Sequence, residues 1–361
     1  MITFSEIGAA DRDHYDDCVT RLPEPDFRQT YGWGEVREAD GWVPRRFLAT
    51  GDGVAVGCAQ VLIGRLPHLP FRLIQVPGGP LIDYHSPETV RAFAELLREV
   101  GQEFGACFAR IEPQLPDGDE MVQSNLAAAG FARSSLAWSF WNSPLEVLRI
   151  DLRKSEEDLF RHLSKSKRYD TRRFLRRGNT VDLSTSADDF WQLHRFLRQL
   201  GARKGFAVRG ERYWRALWDE FASRGRGLLV AARSQGRPLG YVFGVIAGTT
   251  CFVLHAADNQ ELRAAEQPNA ALWWEIVRQA RASQCTAVDL LGYVSTSHLR
   301  FKESLGGELL RFAGYHDLRL RSLASRAFTV TEKYLLPRLV PSWARLRGRT
   351  TARTSNGDRD A

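Results

Sequence analysis

The chain is poor in the features that usually announce a stapled fold or a bound cofactor. Its 361 residues include only five cysteines (Cys18, Cys58, Cys107, Cys251 and Cys285), far apart, with no C-x-x-C pair and no histidine at zinc-finger spacing. Neither a disulfide framework nor a structural metal is expected, and a reducing compartment fits this usage. No G-x-G-x-x-G or G-x-x-x-x-G-K-[ST] string occurs, which removes the usual phosphate cradles of hydride transfer and nucleotide hydrolysis. H-E-x-x-H and G-x-S-x-G are missing too, and the eight histidines are not grouped at ligand spacing, so no metal and no cofactor is expected. Met1 to Ala10 lacks a basic start followed by an apolar run, so no signal peptide is expected and the reading is cytoplasmic.

Long apolar runs are also scarce. Leu239 to Ala257 carries no Lys, Arg, Asp or Glu and approaches the length of a membrane-spanning helix. Gly244, Gly248, Thr249 and Thr250 interrupt it, and its Val, Ile and Phe content predicts a buried hairpin instead.

What is present is enough chain for two domains, and an excess of cations. Fifty Lys and Arg against 43 Asp and Glu give a net charge of +7, which favours an anionic partner without naming one. A weak duplication organises the chain. Arg46 to Gly64 and Leu228 to Gly248 both read as strand, polar turn, strand, each with a glycine four residues after the turn glycine. Helical periodicity then runs over Val90 to Ala106 and over Asn269 to Gln284, leading into the strands Cys107–Glu112 and Thr286–Leu291. Each half closes on a helix-turn, Leu126–Phe131 and Phe301–Gly307. This predicts an α+β architecture of two tandem domains, each a mostly antiparallel sheet with flanking helices, in the manner of the general N-acetyltransferase (acyl-CoA N-acyltransferase-like) fold. The expected boundaries are 1–146, completed by 318–340, and 147–317. The Arg-, Thr- and Ser-rich stretch 341–361 is expected to be a disordered basic tail.

Arg161 to Arg177 reads as one basic helical segment with a single acid, Asp170. It is either a solvated helix face or a phosphate-backbone contact surface built on Lys165, Lys167, Arg168, Arg172 and Arg173. Glu261 to Ala270 contains no glycine where a coenzyme A transferase would be expected to carry a glycine-rich loop, so the coenzyme site is expected to be lost.

Six strings occur in order over residues 27–318: Phe27-Arg-Gln-Thr-Tyr-Gly-Trp-Gly-Glu-Val-Arg37, Val76-Pro-Gly-Gly-Pro-Leu-Ile-Asp83, Lys165-Ser-Lys-Arg-Tyr-Asp-Thr-Arg-Arg173, Arg203-Lys-Gly-Phe-Ala-Val-Arg-Gly-Glu-Arg-Tyr213, Asn269-Ala-Ala-Leu-Trp-Trp-Glu275 and Leu299-Arg-Phe-Lys-Glu-Ser-Leu-Gly-Gly307. Together they resemble the Fem family of peptidoglycan cross-bridge transferases (FemX, FemA, FemB). Tyr213 to Gly227 leaves no room for the helical arm of FemA and FemB, so the chain is more similar to the FemX type.

The resemblance implies an aminoacyl-tRNA donor and an amine acceptor on a peptidoglycan precursor carrying UDP or a lipid diphosphate. It also implies peripheral contact with the membrane face, and the chain is expected to be a monomer. By the same resemblance Lys302, in the pair Phe301-Lys302, stands near the reacting centre, where a cation stabilises an oxyanion or the tRNA terminal phosphate. Arg37, Arg209 and Tyr213, with Trp33, match positions that hold the acceptor's diphosphate. Arg37 replaces the usual lysine by a bidentate fork. Asp83 matches an acidic position in the acceptor cleft, with a turn cap as the alternative. His255 stands where relatives often have tyrosine and is either a proton relay or a satisfied core histidine. Because the second half alone has a cation in its closing helix-turn, the second domain is expected to hold the donor and the first the acceptor. Two further readings stay open: an acyl-CoA N-acyltransferase acting on surface-polysaccharide sugars, and a non-catalytic RNA-binding protein using the basic segment.

Overall fold

The computed structural model describes residues 2–65, 71–134, 143–262, 266–293 and 295–335. The first sheet contains β1 (Ile2–Glu6), β2 (Val43–Gly51), β3 (Val54–Arg65), β4 (Arg72–Val76), β5 (Phe108–Ile111), β6 (Phe131–Arg133) and β14 (His316–Arg319), in the order β1-β2-β3-β4-β5-β14-β6. The second contains β7 (Glu146–Asp151), β8 (Thr180–Ser184), β9 (Gly227–Ser234), β10 (Arg237–Ala247), β11 (Thr250–Asp258), β12 (Ala287–Asp289) and β13 (Glu308–Arg311), in the order β13-β7-β12-β11-β10-β9-β8. Each sheet is antiparallel except for one parallel pair, β4 with β5 and β11 with β12.

Both hairpins of the duplication form. Asp52-Gly53 turns β2 into β3 and Gln235-Gly236 turns β9 into β10, with φ of 49° and 79° in the first turn and 48° and 77° in the second. Positive φ at both central residues matches the turn to the right-handed twist of its strands. The uncharged run Leu239–Ala257 lies within β10 and β11, and among the described residues no helix is long and apolar enough to cross a membrane.

The helices are α1 (Arg12–Arg21), α2 (Tyr31–Glu38), α3 (Pro87–Phe104), α4 (Glu120–Ala128), α5 (Glu156–His162), α6 (Lys165–Arg176), α7 (Ala187–Lys204), α8 (Glu211–Leu217), α9 (Asn269–Ala282), α10 (Thr296–Glu303) and α11 (Ser322–Val330). The repeat-related pair α3 and α9 cover their sheets: Val90, Phe93 and Leu97 pack with Val61 and Ile74, and Leu272, Ile276 and Ala280 with Val230 and Val242. A third core joins the halves, with Phe27 and Val36 from the first packed with Phe190, Trp214 and Phe252 from the second. Burying one such side chain contributes about 1.5–3 kcal/mol, so this seam fixes α2 against α8.

Two expectations are corrected. The basic segment 161–177 is not one helix but breaks at Leu163 and Ser164, where Ser164 Oγ accepts from the Lys167 amide at 3.4 Å and starts α6 afresh. A serine cap satisfies an amide left open at a helix start, and the break separates the acids at the start of α5 from the cations of α6. The strand expected over Thr286–Leu291 stops at Asp289, because Leu291 turns to φ 58°. The tail 341–361 lies outside the described residues.

Candidate active site

Thr30 caps α2 by accepting from the Trp33 amide at 3.4 Å, and the helix then carries Trp33 and Arg37 one turn apart on the same face. Trp33 meets Phe27 edge-on at 4.9 Å and Tyr213 at 6.4 Å. Arg37 is buried with its guanidinium 5.1 Å above the Trp42 ring, and its Nη1 donates to Asp40 Oδ2 at 3.3 Å. From the second half, Arg209, just before α8, donates to the same oxygen at 2.7 Å and lies 5.8 Å over the Tyr213 ring. Tyr213 is buried, and its hydroxyl lies 3.3 Å from His255 Nε2. The structure therefore draws Trp33, Arg37, Arg209, Tyr213 and His255 into one group across the seam.

Burial, and then the neighbouring Arg209 charge, pull Arg37 down to about 10. Burial pushes the Tyr213 phenol up to about 12. Burial, reinforced by Arg209, pulls His255 down to about 3, so its ring is neutral and shares a hydrogen bond with the Tyr213 hydroxyl. Two guanidinium forks beside aromatic walls suit a multi-oxygen anion. Asp40, which joins the two arginines, is a member that sequence reasoning missed. Its only signal is its place three residues after Arg37.

His255 has a checkable consequence for stability. Its folded pKa lies below the unfolded value near 6.5, so the unfolded chain binds the extra proton, and the stability present above 6.5 is lost as pH falls toward 3. His255→Gln, which keeps a hydrogen-bonding partner for Tyr213, is expected to remove up to about 1.4 kcal/mol per pH unit from the acid slope of unfolding. Equal slopes between pH 4 and 6 in chemical denaturation of the two proteins would contradict a half-buried His255 held neutral by the fold.

Lys302 occupies a second group. Ser295 caps α10 by accepting from the His298 amide at 3.2 Å, and the helix turns Lys302 inward, 3% exposed. Its ammonium donates to three successive carbonyls, those of Leu290, Leu291 (3.1 Å) and Gly292. The same loop is held from the other side by Asp289, whose Oδ1 accepts from the Leu291 amide at 2.7 Å. Burial raises the Asp289 carboxyl, against the opposing pull of Arg149, whose guanidinium is 3.4 Å away. Burial likewise pulls Lys302 down to about 8. Its neighbour Phe301 meets Trp273 edge-on at 5.6 Å, and the Lys167 ammonium lies 4.8 Å from the Phe301 ring centre. The start of α6 thus adjoins the Phe301-Lys302 pair.

Asp83 is exposed and accepts from the His85 amide at 2.9 Å, a local turn ahead of α3. The buried acids are others. Asp26 grips Arg28 at 2.7 Å, and Arg28 reaches Gln114 at 3.3 Å. Glu112 accepts from Gln75 at 3.0 Å and from the Ser143 amide at 3.1 Å. Glu112 directly follows β5 and Asp289 ends β12, equivalent places in the two repeats, which is the signal that was available for them. Gly78 and Gly79 are not an open phosphate cradle: a Cβ there would lie 2.5 Å from the Asp26 carboxyl and 2.6 Å from the Gln29 carboxamide.

The five cations expected on α6 divide by burial and partner. Lys165 and Arg172 are exposed, with Arg172 lying 5.0 Å over Phe160. Arg168, half-buried, donates to the Arg161 carbonyl at 2.7 Å and to the Leu163 carbonyl, which closes the end of α5. Arg173 turns to Gln267, and Lys167 to Phe301. Lys165, Arg168, Tyr169, Arg172, Leu175 and Arg176 line an open groove of about 760 Å³ along the helix.

A family model described as "Acetyltransferase (GNAT) domain" matches residues 165–303, from the start of α6 to the end of α10. The lipid II:glycine glycyltransferase of Staphylococcus aureus is 26% identical over 210 residues, which cover 57% of this chain and 49% of the relative. The solved structure of FemX superposes with a TM-score of 0.81 at 20% identity, covering 90% of this chain and 99% of that one. The chain is homologous to that glycyltransferase and matches FemX in fold. It spans about half the length of the curated relatives it matches. A tandem GNAT protein from the clavulanic acid biosynthesis pathway superposes with a TM-score of 0.53 at 14% identity over 89% of this chain and 99% of its own, a likeness of fold. Like FemX, the chain has the α+β two-domain GNAT-like architecture.

Proposed function

We propose that the chain is an aminoacyltransferase that moves an amino acid from aminoacyl-tRNA to an amine on the stem peptide of a peptidoglycan precursor. The observation that carries this reading is the convergence of Arg37 and Arg209, from opposite halves, on one carboxylate between aromatic walls. That arrangement suits the diphosphate of a UDP- or lipid-linked acceptor, and similarity to a lipid II:glycine glycyltransferase supports the same acceptor class.

The chemistry needs little more than placement. A neutral acceptor amine attacks the ester carbonyl carbon, a C–N bond forms, and the tetrahedral oxyanion collapses with loss of the ribose oxygen, which takes up the proton released by the amine. Lys302 supplies a positive charge beside the Leu290–Gly292 loop. To touch the oxyanion directly it must exchange one of its three carbonyl bonds for the substrate oxygen. His255, held neutral, orients the Tyr213 hydroxyl. The acyl-CoA alternative is weakened by the filled Gly78-Gly79 position and by the lack of any glycine from Thr249 to Leu291.

The α6 groove is the proposed tRNA surface, with Tyr169 and the exposed cations facing the backbone and Lys167 leading to Phe301. Replacing Lys165, Arg172 and Arg176 by Ala is expected to weaken tRNA binding and to flatten the plot of log affinity against log salt by about two to three. Filter binding over a range of salt concentrations measures it. An unchanged slope would take α6 out of the interface.

A further inference from the structure

The outward face of α11 has no role in the chemistry above. The inward side of this helix is fully committed. Phe328 is buried against Phe108 (4.8 Å) and Phe71 (5.7 Å), and Ser325 and Thr331 are buried beside it. Glu332, in the turn that continues the helix, pairs with the buried Arg110 at 2.7 Å. The opposite side is also apolar. Leu323, Val330 and Tyr334 are 80%, 55% and 55% exposed, and with the exposed Ala327 they follow helical spacing along one stripe. Leu323 is the most exposed large apolar side chain among the described residues. Arg326 and Lys333 are exposed along one flank, with the Lys333 ammonium 5.3 Å from the Tyr334 ring centre. A helix anchored on one side, with an apolar stripe and a cationic flank on the other, has the composition of an element that lies in a bilayer interface.

We infer that this face of α11 docks on an anionic lipid surface. Charge and chain composition favour that occupant over a protein groove. Residues 336–353, which follow directly, include five arginines (Arg338, Arg345, Arg347, Arg349, Arg353), no Asp or Glu, and the apolar Leu336, Leu339, Val340, Trp343 and Leu346. Basic residues near an apolar anchor add electrostatic attraction to acidic headgroups.

The position is informative as well. Phe328 belongs to the same buried cluster as Trp42, and the Arg37 guanidinium lies 5.1 Å over the Trp42 ring. A chain docked on lipid meets a lipid-linked diphosphate in preference to a soluble one. This last step rests on the acceptor reading above; the docking itself does not.

The test is co-sedimentation of the full chain with vesicles of phosphatidylglycerol and phosphatidylcholine in about equal parts, and with phosphatidylcholine alone, at low and high salt. The wild type is expected to bind the anionic vesicles in a salt-sensitive way. Leu323→Ser/Val330→Ser/Tyr334→Ser, all at exposed positions, is expected to lower partitioning at least about tenfold with an unchanged melting temperature. Arg326→Glu/Lys333→Glu is expected to lose the preference for anionic vesicles. A wild type that ignores vesicles, or a triple variant that binds as well as wild type, overturns the inference. So does a wild-type dimer that the triple variant turns into monomer without vesicle binding, which would make the stripe a self-association face. Turnover of a soluble UDP-linked precursor, measured beside it, is expected to be equal in wild type and triple variant. Its absence in both, together with no turnover of a detergent-solubilised lipid-linked precursor, would count against the transferase reading and leave the vesicle result standing.

Discussion

Lys302→Met is expected to lower kcat by about a hundredfold to a thousandfold, the loss typical when one charge or donor near a developing oxyanion is removed. Met keeps the stem and its packing and removes the ammonium, so the variant separates charge from bulk. It also leaves the carbonyls of Leu290, Leu291 and Gly292 without their shared donor, and a buried polar group so abandoned costs about 1–3 kcal/mol. A lowered melting temperature is therefore expected beside the lost turnover, and the two must be measured together. The pH dependence separates the causes. With Lys302 pulled down to about 8, a wild-type rate that depends on its charge falls as pH rises through 8, and a residual Met-variant rate lacks that limb. Stability moves the other way: between 8 and 10.5 the folded state binds fewer protons at Lys302 than the unfolded chain, so wild-type stability rises with pH there relative to the variant. A Met variant with lowered stability and near-normal kcat would make Lys302 a loop anchor and nothing more.

Arg37→Ala and Arg209→Ala are each expected to raise the acceptor KM about tenfold to a hundredfold, since a hydrogen bond to a charged group contributes about 1.5–3 kcal/mol, while kcat changes little. The double variant should fall short of the product of the two, because both guanidiniums meet on Asp40 and are proposed to meet on one diphosphate. Asp40→Asn, which removes the carboxylate that competes with the acceptor's phosphates, is expected to lower KM. Binding of charged tRNA should be unaltered in all of them. Loss of kcat alone would contradict a diphosphate site.

Much of the fold was legible because it is written twice. The hairpins, the covering helices and the strands that follow them sit where the repeated pattern of turn glycine, helical period and apolar run put them. The break between α5 and α6 was harder to read, because Ser164 is a single polar residue in a segment whose charge density dominates the pattern. The shortened β12 depends on the left-handed Leu291, a conformation held by Asp289 and Lys302 that no local sequence rule gives to leucine.

Resemblance named a group of side chains of which Arg37, Arg209, Tyr213, Trp33 and His255 are neighbours in the fold. What sequence could not supply was pairing. Arg168 looks like its neighbours on a helical wheel but is spent on carbonyls, and Asp40 is one acid among many until Arg209 arrives from 169 residues away. The burial of Asp26, Glu112 and Asp289 follows from how the two halves close on each other, which local patterns do not encode.

The most direct test of the transferase reading is product mass. The protein is incubated with total tRNA charged with amino acids, together with UDP-linked or lipid-linked peptidoglycan precursors. The expected product is a precursor heavier by one amino-acid residue, formed only with intact charged tRNA and abolished by ribonuclease. A precursor left unchanged under these conditions, together with transfer of an acetyl group from acetyl-CoA to a sugar amine, would contradict it.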